Sequence, residues 1–224
     1  MITNLKTYNP TGYYSTQEAA RVAQVPVWKL YSWQSNGIIL PSVKWTDEFK
    51  KEHLGHSFES VVFIRLLQML RDKGISLYNA VTALKILKDR FGYPGKHWAE
   101  IKIFADGKDV YVYRENDAYG TTVATRGHQK VAEVILGEEF MGLRDRTDAL
   151  LIPRQFMDSV EIDPSIQNGL PIILDTKMLT RVIHNLKKQN YDYSEIQEMY
   201  PFIQYEKIVG AEGYEALLDR VNLN

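Results

Sequence analysis

A chain of 224 residues with 45% hydrophobic and 25% charged side chains has enough apolar surface for true cores and no bias toward disorder. It has no cysteine, which excludes disulfides and thiolate metal sites; no apolar run reaches the roughly 18–20 residues that span a bilayer, and the start MITNLKTYNP lacks a signal-peptide pattern, so a cytoplasmic protein is expected. The net charge of −1 hides an asymmetry: 12 Lys and Arg stand against 7 Asp and Glu in residues 1–92, 9 against 10 in 93–156, and 6 against 11 in 157–224.

Residues 15–36 predict two short helices. Ser15 is placed to cap the first, with Glu18 three positions on as in a capping box, and Ala19, Ala20, Val22 and Ala23 give it a small-residue packing face. Pro26 suits the start of the second, which spans Val27 to Ser35 and ends at Ser-Asn-Gly with Gly37 as terminator. The charged stretch TDEFKKEHLGH fits a short ribbon or loop and not a core strand. Two more helices follow, one opening at Ser57 and closing at Gly74, the other capped by Ser76 with Leu77, Val81, Leu84 and Leu87 at helical spacing.

From Tyr93 the pattern becomes alternating and β-branched around an Asp-Gly turn, a hairpin signal. Tyr111, Tyr113 and Tyr119 alternate as strand residues do, which suits one-face packing on a sheet or, alternatively, an aromatic pocket. Beyond Ile152, two short apolar strands split by a Pro/Asn/Gly turn precede three short amphipathic helices. The expected fold is mainly α with a small β-containing middle segment, an α+β chain divided as 1–92, 93–155 and 156–224.

Two helices around a four-residue turn fit a helix-turn-helix. The stretch YSTQEAARVAQVPVWKLYSWQSNGIILPS carries an aromatic-Ser start, a Glu-Ala-Ala first helix, aromatics late in the second helix and a Gly-hydrophobic-hydrophobic-x-Pro exit; HSFESVVFIRLLQMLRDKGISLYNAVTALKIL supplies two following helices with a Gly-Ile-Ser-Leu junction. In that order, these motifs resemble the MerR-type winged helix-turn-helix family. The resemblance implies binding to double-stranded DNA as a homodimer, with the second helix in the major groove and the segment after Pro41 as a wing on the phosphates. On this chain the implied DNA contacts are Ser15, Thr16 and Arg21 on the first helix, Val27, Trp28, Lys29 and Tyr31 on the second, and Lys44, Lys50, Lys51, His53 and His56 in and after the wing. The cations suit phosphate positioning, which sets register without reading sequence.

The chain also departs from that family. Trp28 and Tyr31 stand where members commonly hold basic residues, so guanine readout by arginine is not expected; Trp28 either meets a sugar or thymine methyl or packs, and Trp33 is assigned to the core. The family's dimerising coiled coil has no counterpart, since no heptad pattern follows Phe91.

Residues 160–208 hold Ile162-Asp-Pro, Gly169 to Ile173, Thr176 and YDYSEIQEMYPFIQYEKI, which resemble the small bacterial domain of unknown function numbered 433, often described as antitoxin-like or VapB-like. That resemblance implies dimerisation through the short strands, for which Val160, Ile162, Pro171, Ile172, Ile173 and Leu174 are the candidates, and in some members pairing with a PIN-like toxin. A small stabilising helical cap is the alternative for this segment. No phosphate loop, metalloprotease helix or nucleophile elbow is present and the five histidines are scattered, so neither an enzyme nor a cofactor or metal is expected. The expected function is transcription regulation as a DNA-binding repressor or autoregulator; the alternative is an antitoxin that neutralises a nuclease.

Overall fold

The capping and turn signals of the first 92 residues become a four-helix unit with a β-ribbon inserted after the second helix. The computed structural model describes residues 12–92, 101–105, 110–114, 121–122, 133–136, 148 and 150–223. Over these, the chain is mostly helical with three small antiparallel sheets, an α+β fold.

Helix α1 (Thr16–Val22) starts at the expected capping box: the Ser15 hydroxyl accepts from the Glu18 N–H at 3.2 Å, and the Glu18 carboxylate accepts from the Ser15 N–H at 3.1 Å. Gln24 takes a left-handed φ of +56° in the turn, and α2 (Val27–Ser35) follows with Pro26 just outside its first turn. Strands β1 (Val43–Thr46) and β2 (Glu52–Gly55) form the ribbon, in register from Val43↔Gly55 to Thr46↔Glu52. Helices α3 (Phe58–Asp72) and α4 (Leu77–Phe91) are capped by the Ser57 and Ser76 hydroxyls. Leu30 and Trp33 from α2, the alanines of α1, and Val61, Ile64 and Leu67 from α3 share one core. Each large aliphatic buried there contributes roughly 2 kcal/mol.

The middle strands β3 (Ile101–Ala105), β4 (Val110–Arg114), β5 (Thr121–Thr122) and β6 (Glu133–Leu136) form one sheet in the order β5-β4-β3-β6. β3 and β4 are the hairpin expected around Asp106-Gly107; the turn itself and Tyr119 lie outside the described residues.

After a 3-10 turn at Arg154–Phe156 come β7 (Val160–Glu161), β8 (Ile172–Ile173), α5 (Thr180–Lys188), α6 (Tyr193–Met199) and α7 (Tyr205–Leu223). The N-terminal core does not stop at α4. Leu151, Ile152, Met157, Val160, Ile162, Tyr214 and Leu218 belong to the same apolar cluster as α1 and α3, while Ile173, Ile183, Ile196 and Ile208 form a second cluster under α7. The buried Tyr14 ring carries the link, its hydroxyl donating to the Gly169 carbonyl at 2.6 Å. Only glycine fits that partner position: φ is +82°, and a Cβ would lie 2.0 Å from the Tyr14 oxygen.

Two expectations are corrected here. β7 and β8 pair with each other, Val160↔Ile173 and Glu161↔Ile172, and Val160, Ile162, Pro171, Ile172 and Ile173 are buried inside this one chain, with Leu174 half-buried and its N–H held by the Ser159 carbonyl. Those side chains satisfy the core of the monomer and are not presented to a second copy. The third C-terminal helix is not short: α7 runs for 19 residues.

Candidate nucleic-acid interface

α2 buries Leu30 and Trp33 and exposes Trp28, Tyr31, Ser32 and Ser35. Trp28 is 61% exposed and Tyr31 49%, so the alternative that Trp28 packs is corrected, while Trp33 is in the core as expected. The Lys29 ammonium lies 5.5 Å from the Trp33 ring centre, which steers its head along the helix surface. Val27 is half-buried against the core and fixes the start of this helix.

The ribbon is held to α2 by a buried relay. The Gln34 amide donates to the Thr16 hydroxyl at 3.2 Å and lies 2.8 Å from His56 Nε2; His56 Nδ1 lies 3.0 Å from the Ser60 hydroxyl. The backbone of His56 also exchanges both hydrogen bonds with Tyr14, at 2.8 and 2.9 Å. These partners assign a neutral imidazole with its proton on Nδ1, since Gln34 can only donate from its nitrogen. Burial pushes the His56 pKa from 6.5 down to about 4. His56, assigned from the sequence to DNA, is therefore corrected: it is fully buried and pins the base of the ribbon to the start of α1 and the end of α2. Thr16 is spent in the same relay and Ser15 in the helix cap.

This has a pH consequence. Between pH 6.5 and about 4 the unfolded chain protonates this imidazole and the folded one does not, so stability falls as pH drops through that window and is insensitive to this group above it. From pH 7 to pH 5, urea denaturation should show a loss of about 2 kcal/mol from this residue. His56→Gln should be less stable at pH 7 and lose that much less on acidification; an identical pH slope would contradict the burial argument.

The ribbon tip is closed by hydrogen bonds. Asp47 Oδ1 accepts from the N–H groups of Phe49 at 2.9 Å and Lys51 at 2.8 Å, and Oδ2 lies 2.8 Å from His53 Nε2. The hydrogen bond from His53, followed by those from the backbone, holds the Asp47 carboxyl below its usual range. His53 stacks on Trp45 with ring centres 5.4 Å apart, and Lys50 closes the turn at φ +60°. Lys50 and Lys51 are exposed and make no ion pair among the described residues, whereas Lys44 is paired across the ribbon with Glu52. Of the ribbon residues assigned to DNA, Lys50 and Lys51 are thus open, Lys44 is shared with a carboxylate, and His53 buttresses the turn. Sequence reasoning missed Phe49, which lies 82% exposed at the apex, and Gln34, whose role needs two partners distant in sequence, Thr16 and His56.

Arg21 is corrected as well. Its guanidinium bonds to Glu215 and, at 3.2 Å, to Asp219, both on α7. Glu215 is 1% exposed and also accepts from the Thr180 hydroxyl. Asp219 gathers Lys188 at 2.8 Å and His184 at 2.9 Å as well. Burial opposes the Asp219 charge, but hydrogen bonds from Lys188, His184 and Arg21 more than offset it and hold the carboxyl below its usual range. Arg21 therefore clamps α1 to the acidic C-terminal helix. Among the described residues no group of His, Asp and Glu side chains is arranged to hold a metal ion, and no helix is long and apolar enough to cross a membrane.

Residues 160–214 match the family model described as "Protein of unknown function (DUF433)", the segment that runs from β7 into the middle of α7. Over 98 residues the chain is 28% identical to proteins named uncharacterized HTH-type transcriptional regulators in Mycobacterium bovis and in two strains of Mycobacterium tuberculosis, a match covering 44% of this chain and 42% of those relatives. The match thus spans less than half the length of those relatives. The crystal structure of Rv2018 from Mycobacterium tuberculosis superposes with a TM-score of 0.55 at 14% identity, covering 92% of this chain and 99% of that one, which shows a shared fold.

Proposed function

We propose that the chain is a sequence-specific DNA-binding transcription regulator of the MerR-like winged helix-turn-helix type, a homodimer that represses by occupying a pseudo-palindromic operator. α2 lies in the major groove with Trp28 and Tyr31 toward the base edges, and the β1–β2 ribbon rests Lys50 and Lys51 on phosphates. The observation that carries this reading is the Thr16–Gln34–His56–Ser60 relay, which ties the outward-facing side of α2 to the base of a ribbon that carries the exposed Lys50 and Lys51 at its tip. The naming of relatives as HTH-type transcriptional regulators supports it. A single module makes few phosphate contacts, and pairing over two half-sites is how such modules gain affinity. The molecule is read as non-catalytic, acting in the cytoplasm on nucleoid DNA.

Anisotropy of labelled fragments from the promoter upstream of its own gene tests this reading. Affinity should fall about a hundredfold or more between roughly 50 and 200 mM salt, because released counterions drive binding. Absent or salt-insensitive binding would sink it.

A second reading, an antitoxin that neutralises a PIN-like nuclease with autoregulation secondary, is favoured by one observation. Met199, Phe202 and Tyr205 stand exposed around the α6–α7 junction of the segment matching the DUF433 model, with Glu198 and Glu206 exposed beside them. Such a surface suits a basic protein partner. Co-purification of a small nuclease with the intact protein would favour this reading; recovery of the protein alone would not.

A further inference from the structure

We propose that Phe49 is an apolar wedge that enters the minor groove and inserts between base pairs, so that the ribbon reads DNA deformability as well as resting on phosphates. This rests on the DNA-binding reading above. Single exposed apolar residues are ordinary on protein surfaces. Phe49 differs in where it is and how it is held. It is the most exposed of the large apolar side chains described, at 82%, and it sits at the apex of the ribbon. Its own N–H and that of Lys51 are tied to one oxygen of Asp47, and the Lys50 N–H reaches the Asp47 carbonyl at 3.0 Å, so the ring projects from a closed turn. Two exposed lysines, without an ion pair among the described residues, follow it directly, and the exposed Glu48 precedes it.

An aromatic ring on a rigid, narrow support beside two cations has the chemistry of a minor-groove wedge. The ammonium groups bind the phosphates on either side of the groove, and the ring replaces part of the stacking it disrupts. A preorganised tip matters because ordering a loose loop at the moment of binding would consume the gain. The sequence dependence follows. Pyrimidine–purine steps unstack at least cost, so positions under the ribbon should favour TA or CA without any hydrogen bond to a base.

The test starts with selection of bound duplexes from a random 30-base-pair pool, roughly three helical turns and so long enough for two half-sites, by the intact protein and by Phe49→Ala and Phe49→Leu. 2-Aminopurine is then placed at each enriched position. With the native protein and Phe49→Leu, pyrimidine–purine steps should be enriched at the ends of each half-site and 2-aminopurine there should brighten on binding. Phe49→Ala should lose both and bind about tenfold more weakly, since unstacking is no longer offset. Equal affinity, equal selected sequences and no brightening with the native protein would overturn the wedge while leaving DNA binding intact, and would point to Phe49 as an anchor for a protein partner instead. If the native protein enriches no duplex, the DNA-binding reading fails and the wedge fails with it.

Discussion

Arg21→Ala should destabilise the protein by about 3–5 kcal/mol, because among the described residues it leaves the buried Glu215 carboxylate only the Thr180 hydroxyl as side-chain partner. Chemical denaturation at pH 7 measures it directly. The loss is large against the roughly 5–15 kcal/mol that holds a typical domain. Replacing both partners, Arg21→Met with Glu215→Leu, should recover most of it, since the cost lies in the stranded charge and not in the absent pair. At temperatures where Arg21→Ala stays folded, its DNA affinity and salt dependence should match the native protein. A loss under about 1 kcal/mol together with tenfold weaker DNA binding would instead return Arg21 to the phosphates.

The second large effect concerns the outer face of α2. Trp28 and Tyr31 are exposed and support no core, so Trp28→Ala with Tyr31→Ala should leave the melting temperature within about 2 °C of native, as surface truncations usually do. DNA affinity should fall at least a hundredfold, given about 2 kcal/mol for each aromatic buried at the centre of an interface. The salt slope should stay unchanged, since no cation is removed. Unchanged affinity would place the major-groove element elsewhere.

The sequence displayed what is local. Ser15, Ser57 and Ser76 each announce a helix start that the structure realises through a hydroxyl bonded to a backbone N–H, and the bounds of α2 follow from Pro26 and Ser-Asn-Gly. Trp33 was legible as core because a large ring at the end of α2 can cover the Ile38, Ile39 and Leu40 tail; Ile38 and Ile39 do pack on its core, while Leu40 is exposed. The partners of Arg21 and Tyr14 were not legible, because each lies more than 150 residues away and becomes adjacent only when the C-terminal segment docks. β7 and β8 read as edges seeking a second copy because strand-forming runs do not reveal whether their partner is in the same chain. The length of α7 was obscured by Gly210 and Gly213, which resemble breakers; they are there for close packing, since a Cβ on Gly210 would meet the Ser159 hydroxyl at 2.2 Å and one on Gly213 the Phe156 ring at 3.1 Å. His56 looked like a surface cation beside the ribbon, and only the geometry of Gln34 and Ser60 turns it into a neutral pin.

The acidic C-terminal third also takes on a physical meaning. Its carboxylates at 215 and 219 meet Arg21 of the basic N-terminal segment, so the charge asymmetry along the sequence is partly neutralised across one packed junction. That makes α1 a structural helix and leaves the exposed side of α2 and the ribbon tip as the proposed DNA surface.

Amide hydrogen exchange of the intact protein, with and without a selected duplex, tests this division most directly. Slowed exchange confined to 27–35 and 43–55, with residues 160–223 unchanged, is the predicted result; slowing confined to 160–223, or no slowing at a saturating duplex concentration, would contradict it.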